Sequence, residues 1–198
     1  MTDPSPVWVV AGPPGAGKST VASLVVRRLD PVPALLDKDT VYGGLVAAAL
    51  AVAGRPHGER EGPWYDTNIK VYEYGSLTVT AAEIRSHGCP VLLCAPFTDH
   101  IHDPARWHMF VDALGGPPVH LVWVHTDAAT LHARLTTRGL SRDGLKLAHF
   151  DEFVTAVRPG TPPAVPHLVV DNRLGAADQL ADRVDSALGG LSAGFGSG

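Results

Sequence analysis

An α/β fold, with a parallel sheet clad by helices on both faces, follows from three observations on this 198-residue chain. Five short runs are nearly continuous in valine and leucine, as strands buried on both faces are. Helix-like segments separate them, and strand alternating with helix gives a parallel sheet. A glycine-rich stretch, "GPPGAGKS" (12–19), stands directly between the first run and the first helix.

The elements follow in order. "VWVVA" (7–11) is the first strand, and "GKSTVASLVVRRL" after it has its apolar residues at helical spacing. "PALLD" (33–37) is the second strand. The widest gap, 38–89, holds the helix-like stretches "DTVYGGLVAAALAVAG" and "WYDTNIKVYEYGSLTVTAAEIRSHG", joined by "GRPHGEREGP". "PVLLCA" (90–95) and "VHLVWVH" (119–125) are the third and fourth strands. "TDAATLHARLTTRG" opens on a capping residue and closes on Gly139. "HLVVD" (167–171) is the fifth strand, and the amphipathic "NRLGAADQLADRVDSAL" is the closing helix. Residues 1–190 are expected to form a single domain, and 191–198, without apolar periodicity, a flexible tail.

Bulk numbers narrow the function classes. Hydrophobic residues at 45% and charged residues at 18% are globular rather than disordered. A net charge of −4 argues against holding nucleic acid by a broad basic face. Cys89 and Cys94, five apart along one strand-like run, read as reduced thiols rather than a disulfide. The N-terminus lacks the charged start and apolar run of a signal peptide, and no stretch is long enough to cross a membrane. A cytoplasmic protein without a membrane partner, monomeric or homodimeric, is expected.

Gly12, four residues, then Gly17, Lys18 and Ser19 match the Walker A pattern, with a strand before and a helix after. Its glycines let backbone N–H groups curl round a phosphate, and the helix start adds its positive end. Gly12, Pro13, Pro14, Gly15, Ala16, Gly17, Lys18, Ser19 and Thr20 are therefore nucleotide-binding candidates. Lys18 reaches the terminal phosphates and Ser19 offers its hydroxyl to Mg²⁺. The loop names a ligand, a nucleoside triphosphate, but no reaction.

Asp37 ends the second strand and Asp39 follows two residues on, at the strand ends where open parallel sheets bind ligands. A carboxylate there can take a proton from an attacking hydroxyl or hold water on Mg²⁺, and Asp39 can equally cap the helix from Thr40. A Walker A loop followed some twenty residues later by Asp-x-Asp resembles the P-loop small-molecule kinases. Shikimate kinase, gluconate kinase, adenylylsulfate kinase and chloramphenicol phosphotransferase are of this kind, with the zeta toxins as relatives. The resemblance implies a P-loop NTPase three-layer sandwich, strand order 2-3-1-4-5, with ATP and Mg²⁺ as cofactors. It also implies a helical acceptor cap about 40–88 and a lid about 134–150. By it Asp39 is the base acting on the substrate hydroxyl and Asp37 joins Ser19 in the metal shell, roles that could be exchanged.

The lid falls on "HARLTTRGLSRDGLKL", where Arg134, Arg138, Arg142 and Lys146 recur every four residues and Gly139 and Ser141 break the stripe into helix, turn, helix. Arginines on a lid neutralise the transferring phosphoryl group. Arg138 and Arg142 are the first choices as catalytic residues, with Arg134 beside the nucleotide. A solvated charged face is the plain alternative. Relatives place adenine beside the turn after the fifth strand, which makes Asn172 and Arg173 candidates, although capping there by Asp171 or Asn172 fits equally.

No acidic residue ends the third strand, so a Walker B aspartate is missing and Thr98 or Asp99 would have to substitute. "DHIHD" brings His100 and His102 between Asp99 and Asp103, but no further ligands recur at a metal-site spacing, and the loop reads as pocket lining. In kinases of this kind the insertion binds the acceptor. Tyr42, Arg60, Trp64, Tyr65, Phe97, Asp99 and His100, with Asp39, are the substrate-binding candidates, and a place in the core is the plain alternative for the aromatics.

These residues together point to an ATP-dependent phosphotransferase acting on a hydroxyl of a small metabolite, nucleoside or antibiotic natural product. Two other readings stay open: a zeta-toxin-like or polynucleotide kinase, and a non-catalytic nucleotide-binding switch.

Overall fold

The computed structural model describes residues 4–140 and 143–194. Five strands carry the fold: β1 (Val7–Ala11), β2 (Ala34–Asp37), β3 (Val91–Cys94), β4 (Val119–His125) and β5 (Leu168–Asp171). They form one sheet in the order β2-β3-β1-β4-β5, every pairing parallel. Helix α1 (Lys18–Val26) follows β1, and α2 (Lys38–Val52) follows β2. Then come α3 (Pro63–Tyr65), a π-helical turn (Asp66–Lys70) and α4 (Val71–Ser86). Between β3 and β4 lie α5 (Thr98–Ile101) and α6 (Pro104–Ala113). After β4 come α7 (Ala128–Arg138), α8 (Gly144–Ala148) and α9 (Phe150–Val157), and after β5 comes α10 (Leu180–Gly194). Among the described residues no helix is long and apolar enough to cross a membrane.

Alternation along β1 divides the core into two layers. Val7, Val9 and Ala11 face Leu77 and Ala81 of α4 and Phe110 of α6, whereas Trp8 and Val10 face Val21 and Val25 of α1 and Val184 of α10. All five β1 residues are buried, as a central strand covered on both faces must be. The flanking strands depart from that expectation. Leu35 on β2 and Val169 on β5 are exposed because these strands are the two sheet edges. Smaller clusters lie beside the sheet, Val46, Leu50 and Tyr65 joining α2 to α3, and Leu131, Leu135 and Phe153 joining α7 to α9.

Helix boundaries differ in two places. The closing helix begins at Leu180 rather than near Asn172, because Gly175 and Asp178 take φ of 77° and 62°, outside the helical region. It then runs to Gly194, past the start of the expected tail at Leu191; residues 195–198 lie outside the described residues. The π-helical turn has no counterpart in the sequence reading. Widened turns of this kind recur at functional sites, and this one carries Asp66 and Lys70.

Candidate active site

The loop from Gly12 to Ser19 leaves the end of β1 and enters α1, so its amides gather at the positive end of that helix. Gly12 has φ 151°, and a Cβ there would stand 2.9 Å from the Val124 carbonyl oxygen. Close approach to the neighbouring strand thus requires glycine. Lys18 Nζ donates to the Pro13 carbonyl at 3.0 Å, spanning the loop from inside. Burial lowers the Lys18 pKa, opposed by the nearby charges of Asp39 and Asp37. From outside, Asn172 Nδ2 and Arg134 Nη1 both donate to the Ala16 carbonyl, at 2.7 and 3.0 Å.

The acidic pair adjoins this loop. Ser19 Oγ donates to Asp37 Oδ2 at 2.7 Å, and Asp37 Oδ1 accepts from the Asp39 amide at 2.9 Å. Asp37, not Asp39, therefore caps α2. Cys94 stands opposite Asp37 in the sheet, at the strand end where a Walker B carboxylate was missed. Burial pushes its thiol up to about 12, so it is neutral. The Ser19 hydroxyl and Asp37 carboxylate are hard oxygen donors side by side, which suits Mg²⁺ held mainly by phosphates and water. Among the described residues no group of three or more His, Cys, Asp or Glu side chains could hold a metal ion. His102 bonds the Thr98 and Thr161 carbonyls at 2.9 and 3.1 Å instead.

Behind Asp39 lies a buried charge network. Asp39 Oδ1 is 3.5 Å from Lys38 Nζ and 3.5 Å from Arg60 Nη1. Lys38 Nζ also donates to Glu73 Oε1 at 2.8 Å, and the Tyr65 hydroxyl donates to Glu73 Oε2. Lys38 and Glu73 are both buried. Burial is the main reason that the Tyr65 hydroxyl is pushed above its ordinary pKa, with the Glu73 bond adding to it. Sequence alone does not single out Lys38, since a lysine between two aspartates has the pattern of a solvated side chain; the fold pairs it with Glu73, 35 residues on.

One cleft of about 1570 Å³ runs from the phosphate loop across the acidic pair to residues of α4, α6, α7, α8 and α9. Lys18, Ser19, Asp37, Asp39, Arg60, Tyr65, Phe97, Asp99, His100, Arg134 and Arg138 line it. Two expected substrate residues do not. Tyr42 packs against the core clusters, and Trp64 packs with Val46, Leu50 and Tyr65 while the Arg55 guanidinium covers its ring at 4.5 Å. Apolar packing claims both side chains. Arg173 is also elsewhere: it grips Asp171 through Nε and Nη2 and lines a separate cavity of about 230 Å³ beside Asp127. Asn172 is buried under the loop rather than open to the cleft.

At the end of α7, Arg138 makes a forked pair with Asp143, Nε to Oδ2 at 2.8 Å and Nη2 to Oδ1 at 2.7 Å. Arg142 lies outside the described residues. Lys146 on α8 is buried and reaches Glu61, between α2 and α3, at 3.0 Å. The four-residue spacing found this lysine, and only the fold showed it turned inward.

A family model described as an AAA domain matches residues 7–159. No curated protein matches the chain in sequence. Among solved structures, a sugar kinase from Janibacter sp. is 17% identical, with a TM-score of 0.62 over 96% of this chain and 95% of its own. A gluconokinase from Sinorhizobium meliloti is 18% identical, with a TM-score of 0.58 over 96% and 93%. The Mycobacterium tuberculosis APS kinase, solved with AMPPNP and APS, is 19% identical, with a TM-score of 0.57 over 96% and 98%. At these identities the likeness is one of fold.

Proposed function

The chain belongs to the AAA-domain family, and from that premise we propose that it transfers the γ-phosphoryl group of ATP to a hydroxyl of a small molecule. One observation carries the reading. The phosphate loop and Asp39 open into the same cleft, which continues beneath the cap with room for a second substrate. The kinases of sugars, gluconate and adenylylsulfate that share the fold support it.

In this reading the loop amides and Lys18 bind the phosphates, and Ser19 with Asp37 would hold Mg²⁺. The metal, when bound, neutralises charge on the phosphate oxygens. Asp39 accepts the proton of the acceptor hydroxyl as its oxygen bonds to phosphorus and the bond from phosphorus to the ADP oxygen breaks. Lys38 and Arg60 hold Asp39 from one side. Arg138 lines the same cleft, and in this reading the cap (about 40–88) and lid (about 134–150) close over the two substrates. Transfer of this kind rests on positioning and electrostatics, so each fixed charge contributes more than it would in water.

The test is incubation with Mg-ATP and a pooled library of hydroxylated compounds, searched by mass for an added phosphate. Asp39→Asn should lower the rate of product formation about 10²–10⁴-fold without loss of ATP binding. ATP turnover that needs no acceptor and survives Asp39→Asn would overturn the assignment in favour of a hydrolysing switch.

A further inference from the structure

The cleft does not end at Asp39. Beyond the acidic pair it runs out between α4 and α6. Val71, Tyr74, Gly75, Thr78 and Val79 form one face of α4, at the i, i+3, i+4, i+7, i+8 spacing. Met109, Phe110 and Ala113 face them from α6. Val71, Val79 and Met109 are 56%, 68% and 71% exposed, a concentration of apolar surface in a groove that is continuous with the phosphate site. Its floor is aromatic: His100 stacks on Tyr74 at 5.6 Å and meets the edges of Phe97 and Phe110 at 5.6 and 5.2 Å. A Cβ built on Gly75 meets nothing within 4 Å, so the middle of the groove is open.

Charge at this end is already matched. Lys70 Nζ lies between Asp66 and Asp99, at 3.4 and 3.5 Å, and Arg106 pairs with Asp103 at 3.4 Å. Arg60 faces Asp39. Burial among the rings lowers the pKa of His100, which favours a neutral imidazole. An acceptor phosphate or carboxylate would meet the like charge of a protein carboxylate already standing beside each of these cations. An apolar ring would find the rings of Tyr74 and Phe110, the methyl groups of Val71 and Val79 and the Met109 thioether along these two helices.

We infer that the acceptor is an uncharged alcohol with an apolar, ring-bearing body, its hydroxyl meeting Asp39 and its body lying between α4 and α6. This rests on the phosphotransfer reading, and sets the substrate class of that same site.

The experiment uses the full chain and naphthylethanol as probe. Calorimetry measures its binding in the presence of Mg-AMPPNP, and product mass measures its phosphorylation by Mg-ATP against xylitol and gluconate. Naphthylethanol should bind and be the preferred acceptor. Gly75→Leu, which fills the groove, and Met109→Glu, which places a carboxylate on its exposed wall, should each weaken its binding about tenfold and leave AMPPNP binding unchanged. Binding without phosphorylation would overturn the transfer reading and leave the groove assignment standing. Preferred phosphorylation of xylitol or gluconate would do the reverse. Neither binding nor transfer overturns both, and binding that neither variant weakens overturns the groove.

Discussion

Replacing Glu73 by glutamine removes the buried carboxylate that Lys38 and Tyr65 share. The side chains of Lys38 and Glu73 are 9% and 3% exposed, so neither water nor salt screens their pair. Breaking a buried ion pair by deleting one partner costs about 3–5 kcal/mol. Two features reduce that here. The glutamine oxygen can still accept from one of the two donors, and Asp39 Oδ1 stands 3.5 Å from the Lys38 ammonium as a remaining counter-charge. The expected loss is therefore about 2–3 kcal/mol, below the full cost of an unpaired ammonium. For a chain of this size that lowers the melting temperature by roughly 4–12 °C. The function should suffer separately. With Glu73 neutral, Lys38 is drawn towards Asp39, so acceptor phosphorylation slows while ATP binding is kept. Thermal melts followed by far-UV circular dichroism, with ATP calorimetry alongside, measure both. A melting temperature within about 1 °C of wild type would mean that the pair is not desolvated as its burial indicates, and the reasoning would fail.

Two further outcomes test the loop and the sheet edge. Gly12→Ala places a methyl 2.9 Å from the Val124 carbonyl oxygen at φ 151°, and should cost about 1–3 kcal/mol in urea unfolding together with most of the affinity for ATP. Gly54→Ala is the control, since its φ is 66° but nothing lies within 4 Å. The forked bond from Arg173 holds the Asp171 carboxyl down at about 2, against an ordinary value of 3.8. A depressed carboxylate contributes its full stability above the ordinary value and loses it as pH falls through the folded one. Asp171→Asn should therefore flatten the fall in stability between pH 3.8 and about 2, measured by urea midpoints across that window.

The sheet was legible because its strands are local and apolar, and the phosphate loop because backbone curvature needs glycine at fixed positions such as Gly12. The acidic pair was legible from its place at a strand end. What escaped depends on partners distant in sequence. Lys38 becomes a buried cation only because α4 delivers Glu73, and Asn172 turns under the loop only because β5 lies beside β4. Trp64, Tyr42 and Tyr65 share the composition of pocket aromatics and all pack with Val46 and Leu50, and only the fold shows that Tyr65 alone of the three also lines the cleft. Residue type marks which side chains are able to line a site; the angle at which a helix meets the sheet decides which of them do.

The lid arginines show the same division and bear on the chemistry. The sequence pattern makes each a candidate phosphate ligand, yet Arg134 commits Nη1 to the Ala16 carbonyl, and Arg138 commits Nε and Nη2 to Asp143, which is 1% exposed. A paired guanidinium still carries its charge and its remaining N–H groups, and the pairing removes the rotamer freedom that a free arginine would lose on closing over a ligand. Arg138 keeps Nη1 outside the fork, on a side chain that lines the cleft. Under the proposed transfer, Asp143 would be a positioning residue, holding Arg138 in one orientation through the forked pair. The Arg134 bond does the same for the loop, fixing the Ala16 carbonyl from outside. Preorganisation of this kind is what electrostatic catalysis requires, because dipoles and charges already in place need not reorganise as charge moves onto the transferring group.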